Sequence, residues 1–270
     1  MSIPNQHKHL EEQLAQHRSI RCFSNLPVDN QLVDKLIEQS INGTSTFGNM
    51  LSYSLVKTYK LANKEKLYAA HDYQESVRQA PLIITICADL SRTERWLKLK
   101  QGKSCLRNLY GLIVGIVDAT LLAQTLALSC QSSGLGICFL GSTLSGSKKI
   151  STILQLPDLV FPVTSIIVGH PSEKPAKRNR LPLSAVVHEE CYKVPSDDEL
   201  LRQFSEKEQS CWARYQSNPE IKRKMEEYNI TNLAQYYSSE LKYGPEHNLS
   251  ISNTLTDLLT KAGWLRENIP

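Results

Sequence analysis

The pattern of apolar and polar residues along the chain predicts alternating helices and strands. Two leucines spaced four residues apart predict a short helix that ends near Gln16. A second helix is predicted over residues 31–41, because the apolar residues there share one helical face, and Asp29 can serve as its N-cap. Residues 42–50 are rich in Gly, Ser, Thr and Asn, which is typical of a loop.

Four segments have the character of strands. Residues 52–60 alternate in polarity, whereas residues 81–89 form a continuous apolar run with β-branched residues, which is typical of a strand buried on both faces. Residues 136–141 and 161–171 are also predicted to be strands. Four strands interleaved with helices predict an α/β or α+β layered domain with a covered sheet.

The longest apolar segment, residues 109–130, is predicted to be a helix. Its length nearly suffices to cross the roughly 30 Å of hydrocarbon in a bilayer. Asp118 and Gln124 lie in its middle and no second such segment follows, so we interpret it as a buried core helix rather than a membrane span. A further helix is predicted over residues 145–156, with Ser145 as its cap.

The C-terminal part of the chain predicts a helical arm without a core of its own. Asn218-Pro219-Glu220 is typical of a helix start, with proline in the first turn. Gly244-Pro245 predicts a break. Ser252 or Asn253 can cap a last helix that ends at Gly263.

The composition is that of a globular protein. The chain has 270 residues, of which 41% are apolar and 21% charged, and this excludes disordered, collagen-like and multi-span membrane proteins. We expect one domain over residues 1–270, with a core of about residues 10–190 and the arm over about residues 191–270. The formal charge of +4 is too small to indicate nucleic-acid binding by itself.

The cysteines and the N-terminal residues predict a location in the cell. The 7 cysteines are widely spaced and form neither a CxxC pair nor a cluster with zinc spacing, which favours a reducing compartment and no metal. The first sixteen residues carry charges and lack the apolar region of a secretory signal. We therefore expect a cytoplasmic protein.

Three polar clusters can bind a ligand, although each also has a plainer interpretation as a solvated loop. Residues 17–21 place three nitrogen-bearing side chains within five positions, and the planar fork of arginine suits a phosphate. Residues 44–49 offer hydroxyls and an amide beside a glycine, which suits a polyol or a heteroaromatic edge. Residues 174–180 include four basic side chains, which can close over a phosphate.

Glycines surround the predicted strand over residues 136–141. Gly134 precedes this strand, Gly136 is its first residue and Gly141 is its last. Glycine at a strand end lets a ligand approach backbone N–H groups. The spacing is not GxGxxG followed by a helix, and P-loop, GxSxG and HExxH motifs are absent from the sequence. Isolated histidines, such as His71, are more typical of core or surface positions than of catalytic bases.

Together these clusters resemble the nitroreductase family of flavoproteins. Residues 17–28, HRSIRCFSNLPV, are similar to the family's Arg-Ser-x-Arg-x-Phe-x-x-x-Pro-Val pattern, and residues 46–56 to its Gly-Asn-x-Gln-Pro-Trp loop and strand. The resemblance continues through residues 74–92, 115–142 and 168–192. The last two segments resemble the larger branch typified by NADPH-dependent nitro- and flavin reductases. No single motif decides the matter, but five in this order are specific.

The resemblance implies a fold and an activity. The expected fold is a nitroreductase-like three-layer α+β fold, in which a central mixed β-sheet is flanked by helices. The expected protein is a homodimer that holds FMN at the subunit interface and requires neither nucleic acid nor a membrane. FMN takes hydride from NAD(P)H and passes electrons to a nitro-aromatic, quinone or flavin acceptor in a ping-pong mechanism.

The resemblance also assigns ten residues to FMN binding. The phosphate is expected to lie among side chains of the first and third clusters, namely His17, Arg18, Ser19, Arg21, Arg178 and Arg180. The ribityl chain and ring are expected to contact Asn49, Gln74, Gly141 and Ser142. Gln74 is expected at the pyrimidine edge, and a backbone N–H of Gly141 or Ser142 at flavin N5. No side-chain nucleophile is needed, since the flavin carries the redox chemistry.

Two departures from the family pattern concern the substrate side of the pocket. Leu51-Ser52-Tyr53 stands where the family has Gln-Pro-Trp, and Ser142 replaces the second glycine of a Gly-Gly pair. A flavin reductase, a reductive dehalogenase or an enone reductase on the same scaffold therefore stays an alternative. A non-catalytic flavin-binding protein and a basic nucleic-acid-binding protein are the other two alternatives.

Overall fold

A computed structural model describes residues 6–265 as two compact units. The first unit comprises residues up to 176 together with those from 251 onward, and the second comprises residues 177–250. The helices and strands of the first unit are α1 (Gln6–Gln16), α2 (Asn30–Gly43), β1 (Tyr53–Thr58), α3 (Leu61–Ala70), α4 (Glu75–Gln79), β2 (Leu82–Asp89), α5 (Ser91–Leu99), α6 (Leu109–Ser132), β3 (Gly136–Leu140), α7 (Ser142–Ser145), α8 (Ser147–Ile153) and β4 (Val160–Gly169). The second unit contains α9 (Asp197–Gln216), α10 (Pro219–Glu227) and α11 (Leu233–Ser238), and α12 (Pro245–Lys261) runs from the second unit into the first.

The sheet has the strand order β1-β2-β4-β3. All three pairings are antiparallel, so the expectation of a mixed sheet is wrong for the described residues, while the α+β class is confirmed. Thr58 at the end of β1 pairs with Ile83 near the start of β2, because the helices between them return the chain to the same end of the sheet. An apolar run that is buried on both faces does not reveal strand direction, which is why the sequence could not decide this point.

Helices cover both faces of the sheet, which confirms the expected three layers. Ile84 and Ile86 of β2 pack with apolar residues of α2 and α6 in one cluster. Ile83, on the other face, packs with residues of α3 and α8, including Leu67 and Ile150. This alternation follows from the period of two in a strand, and it requires both faces to be apolar.

Helix α6 is the helix of the described residues that is long and apolar enough to cross a membrane by length and composition. About half of its most apolar window is buried within the protein, and the core helix of a folded domain passes the same test. Asp118, in its middle, is 1% exposed and accepts backbone hydrogen bonds. These contacts favour the interpretation as a core helix.

Two predicted helix starts differ from the structure. Helix α8 begins at Ser147, and Ser145 ends α7 instead of capping a continuous helix. Helix α12 begins at Pro245, the second residue of the predicted break, so Ser252 and Asn253 lie inside it. Proline is favoured in a first turn, and this signal outweighs the weaker capping preference of a serine or asparagine farther on.

The second unit has a small apolar core. Cys211, Met225, Leu233 and Tyr236 are buried together, and two further tyrosines, two isoleucines, a tryptophan and a leucine pack around them. The expectation of an arm without a core of its own is therefore wrong. Helix α10, which contributes Met225, begins at Pro219 as predicted, and the side-chain oxygen of Asn218 caps it.

Candidate functional site

The basic segment of residues 17–21 lies along the outer edge of β3. The Ile20 N–H donates to the carbonyl oxygen of Ile137 at 2.9 Å, and a few residues later the Ser24 N–H donates to that of His170 at 2.9 Å. A Cβ on Gly136 would lie 2.9 Å from the Ile20 side chain, so only glycine permits this approach. The backbone contacts fix where the flanking basic side chains begin.

Arg18 carries an unpaired buried donor. Its Nε atom is buried and has no hydrogen-bond partner among the described residues. A buried guanidinium donor without an acceptor is costly, and an anion is the natural acceptor for it. Beside it, the ring Nδ1 of His17 lies 3.2 Å from Oε1 of Gln131, which ties this end of the segment to α6.

Ser19 and Arg21 face Cys138 on β3. Burial raises the pKa of the Cys138 thiol, and Arg21 and a hydrogen bond with Ser19 counteract part of this effect. The raised pKa keeps the thiol protonated at neutral pH, so Cys138 is a packing residue and not a nucleophile.

Glu173 accepts hydrogen bonds from two backbone N–H groups at the end of this segment. Its Oε1 accepts from the N–H of Arg21 at 2.6 Å and from that of Cys22 at 3.0 Å. The hydrogen bond from Arg21 is the main reason that the pKa of Glu173 lies below its usual value. These two N–H groups are therefore not available to an anion.

A second polar group lies just beyond the other end of β3. The Gln74 amide donates to the Ser142 hydroxyl at 2.8 Å, and Nδ1 of His71 lies 2.9 Å from the same oxygen. Gly141, between β3 and α7, is exposed, and a Cβ built there would meet no atom within 4 Å. The structure thus brings Gln74, Gly141 and Ser142 together, next to an open space.

A close backbone approach fixes this polar group. A Cβ on Gly146 would lie 2.2 Å from the carbonyl oxygen of Ala70, at the end of α3. Glycine therefore lets the α7–α8 junction pack directly on the end of α3, which places His71 beside Ser142. His71 itself is fully buried, and burial lowers its pKa to about 4.

Asn49 lies in a loop that precedes the opposite edge strand, β1. It is exposed and has a φ of 54°, in the left-handed region that asparagine tolerates better than most residues. Asp118 holds this loop, since its two oxygens accept from the N–H groups of Phe47 and Ser52 at 2.9 and 3.3 Å. Across the sheet, β1 and β3 are three strand spacings apart, about 14 Å.

Arg178 and Arg180 belong to the second unit, where both are exposed. Between them, Asn179 donates to Glu206 of α9 at 3.0 Å, which ties the basic segment to the helices of its own unit. Their assignment to the FMN phosphate stays a prediction.

The second unit also contains an open cavity of about 650 Å³ that the sequence did not reveal. It lies between residues 181–195 and α9. The rings of His188 and Tyr192, which line it, lie against each other at an interplanar angle of 38°, with centroids 4.3 Å apart. Its volume is within the range of small-molecule sites.

The residues of the first unit fit an FMN-like ligand. The buried Arg18 donor suits a phosphate, whereas the open backbone at Gly141 suits the approach of a flat ring. Ile137 lies near the start of β3, and Gly141 directly follows the last residue of this strand. Since Ile20 pairs with Ile137, the basic segment lies beside the start of β3, whereas the open backbone of Gly141 follows its end.

Three residues of this region were missed by the sequence analysis. They are His71, Asp118 in its role as a loop anchor, and Glu173. Asp118 carried a signal, because a carboxylate inside an apolar helix needs polar partners. His71 and Glu173 carried none, since their partners are many residues away in the sequence.

Comparison with known proteins identifies the family. The model of the Nitroreductase family matches residues 14–170, more than half of the chain. The chain belongs to the nitroreductase family. This match spans the basic segment, the loop around Asn49 and the whole of β3.

Relatives and solved structures extend the match. The chain is 33% identical over 190 residues to the FMN reductase (NADPH) of Bacillus subtilis (strain 168), covering 69% of this chain and 76% of that protein. A solved structure from Bacteroides fragilis NCTC 9343 has a TM-score of 0.85 and 32% identity, covering 94% of this chain and 100% of that one. The NfrA1 nitroreductase of B. subtilis has a TM-score of 0.81 and 27% identity, covering 94% and 98%. The nitroreductase family and its fold are thus confirmed for this chain.

Proposed function

We propose that this protein is an FMN-dependent oxidoreductase that takes hydride from NAD(P)H and reduces a small acceptor. The main support is the arrangement along β3, where the unpaired Arg18 donor flanks one part of the strand and the Gln74–Ser142 pair follows its end. Similarity to a protein named FMN reductase (NADPH) supports both FMN and NADPH. It also favours free flavin as one acceptor, beside nitro-aromatics and quinones.

The residues of this chain bind and orient, and bound FMN supplies the hydride chemistry. Arg18 and Arg21 hold the phosphate through side-chain donors, with His17 and Ser19 beside them. Gln74 and the backbone N–H groups of Gly141 and Ser142 hold the polar edge of the ring. Arg178 and Arg180 are assigned to the phosphate on the resemblance alone.

The surface of α6 supports a homodimer. Its exposed side carries Leu109, Tyr110, Ile113, Val117 and Leu121, each between 46% and 56% exposed. An apolar stripe of this length on a water-facing helix is typical of an interface between subunits. Phe47 of the loop that holds Asn49 stacks edge-on against Tyr110, with ring centroids 6.1 Å apart, so this loop belongs to the same surface.

The dimer also accounts for the position of Asn49. Within one chain this residue precedes β1, at the edge of the sheet opposite to β3. A flavin site at a subunit interface lets Asn49 of one protomer approach a flavin held by the partner.

We further propose that both units form a single domain and that the protein is cytoplasmic.

The absorption spectrum of the purified protein tests the proposed function. Flavin bands near those of free FMN are expected, and they should bleach when NADPH is added under argon. Initial rates with NADPH and a quinone should give parallel double-reciprocal lines, as ping-pong kinetics require. A colourless protein that FMN does not bind, or a flavin that NADPH does not bleach, would contradict the proposal.

Substitution of Arg18 by alanine tests the phosphate site. Loss of a charge-assisted hydrogen bond, about 1.5–3 kcal/mol, should weaken FMN binding roughly ten- to a hundredfold and give a paler protein. The matched control is Arg95→Ala, which removes an exposed arginine of α5. Equal FMN affinity of the two variants, measured by fluorescence titration, would exclude Arg18 from the site.

A further inference from the structure

His71 is a buried titratable side chain that the proposed function does not yet use. It caps the end of α3 and is 0% exposed. Its Nδ1 lies 2.9 Å from the Ser142 hydroxyl, and its Nε2 is buried without a partner among the described residues. Burial holds its pKa at about 4, so the ring is neutral at pH 7 and carries one proton.

The position of that proton decides what the Ser142 hydroxyl can do. The hydroxyl oxygen already accepts from the Gln74 amide at 2.8 Å. If the proton is on Nδ1, it donates to the same oxygen, both lone pairs are used, and the hydroxyl hydrogen must find another acceptor. If it is on Nε2, the hydroxyl hydrogen is used on Nδ1 and nothing is left to donate outward.

The unpaired Nε2 decides between these two forms. With the proton on Nε2, a buried N–H would have no acceptor, and among buried backbone groups such orphaned donors are rarer than under-satisfied acceptors. With the proton on Nδ1, the only unmet group of the ring is the Nε2 lone pair, which lacks a donor. The Nδ1–H form is therefore the stable one, and Ser142 presents a free hydroxyl hydrogen beside the open backbone of Gly141.

We propose that His71 is a positioning residue, whose Nδ1–H acts with the Gln74 amide to turn the Ser142 hydroxyl hydrogen toward the bound flavin. The proposal rests on the proposed function, because it takes FMN as the ligand beside Gly141. It also assigns a role to Ser142, which stands where the resembled branch has glycine. The oxidised ring accepts hydrogen bonds at N5, which carries hydrogen after reduction, so this hydroxyl stabilises the oxidised state.

The ring proton of His71 can be located directly. The imidazole nitrogens of the ¹⁵N-labelled, FMN-loaded protein should show His71 protonated at Nδ1 at pH 7. A signal from the Nε2–H form or from a doubly protonated ring would overturn the proposal. This measurement uses the unaltered protein, so it does not depend on the folding of any variant.

The potential of bound FMN gives the second test. Ser142→Ala and His71→Leu should each raise it, by up to about 30 mV, which corresponds to a tenfold change in the relative binding of oxidised and reduced flavin. The double variant should shift it no farther than either single variant, since both remove the same hydrogen bond. His71→Asn keeps an N–H donor near the Nδ1 position and should restore the original value.

The controls separate this inference from the proposed function. Thr152→Ala removes an exposed hydroxyl from α8 and should leave the potential unchanged. If His71→Leu leaves it unchanged while Ser142→Ala shifts it, or if the two shifts add, His71 does not act through Ser142. A protein that binds FMN and bleaches with NADPH but shows these results overturns the inference alone, whereas a protein without flavin overturns both.

Discussion

At the scale of single residues, Asp118 shows how one buried carboxylate organises a loop. It lies on α6 among apolar neighbours, and its two oxygens accept from backbone N–H groups at both ends of the segment that contains Asn49. A buried charge is tolerated only when hydrogen bonds replace its hydration. The cost of burial is thus offset by the order imposed on residues 47–52.

Replacing Asp118 by alanine should destabilise the protein. The N–H of Ser52 would be left buried without an acceptor, and we expect the free energy of unfolding to fall by about 2–4 kcal/mol in urea titrations. The matched control is Asp158→Ala, because Asp158 is exposed and pairs with Arg107 only at 4.0 Å, so less than about 1 kcal/mol should be lost. Equal losses would mean that Asp118 does not anchor the loop.

At the scale of elements, α6 serves two surfaces at once. One side packs on the sheet with Leu122, Ala123 and Leu126, all 0% exposed. The opposite side is also apolar, and its side chains stay about half exposed within the part of the chain that the structure describes. A helix that is apolar all round is normally buried all round, so a second protein surface is expected on the exposed side.

A charge in that exposed stripe should separate the subunits. Val117→Glu places a carboxylate in the middle of the stripe, where dimerisation would bury it, and sedimentation should show a shift from dimer to monomer. Leu99→Glu, at the exposed end of α5, is the control and should stay dimeric, since Leu99 is 74% exposed outside the stripe. A monomeric wild-type protein, or a dimeric Val117→Glu variant, would refute this interface.

At the scale of the whole molecule, the buried neutral His71 links folding to pH. An unfolded histidine has a pKa of 6.5, whereas burial lowers that of His71 to about 4 in the folded protein. Between these values the unfolded chain binds the proton and the folded chain does not. As far as His71 is concerned, the free energy of unfolding is therefore at its maximum above pH 6.5 and declines as the pH falls toward 4.

The pH dependence can be isolated with His71→Asn, which has no titrating ring. Between pH 7 and pH 4, the wild-type protein should lose up to about 3 kcal/mol more unfolding free energy than this variant, at about 1.4 kcal/mol for each unit of pKa. Chemical denaturation at several pH values measures the difference. Parallel pH profiles of the two proteins would show that His71 is not buried as a neutral ring.

Local chemistry in the sequence determined several elements of this protein. Asp29 and Asn218 cap their helices through side-chain oxygens, because the backbone N–H groups that these oxygens accept from are within three residues along the chain. The continuous apolar run of β2 is buried over its whole length, as its composition required. The order of five motifs also indicated the family, which the family match over residues 14–170 confirmed.

Only the tertiary structure decided the contacts between distant segments. Strand direction is not encoded in an apolar run, so the antiparallel sheet became visible only once Thr58 was paired with Ile83. The pairing of His71 with Ser142 joins positions 71 residues apart, and it depends on the close packing of Gly146 on the end of α3. Hydrophobicity and capping act over a few residues, whereas the polar partners of a buried group are set by how whole elements pack.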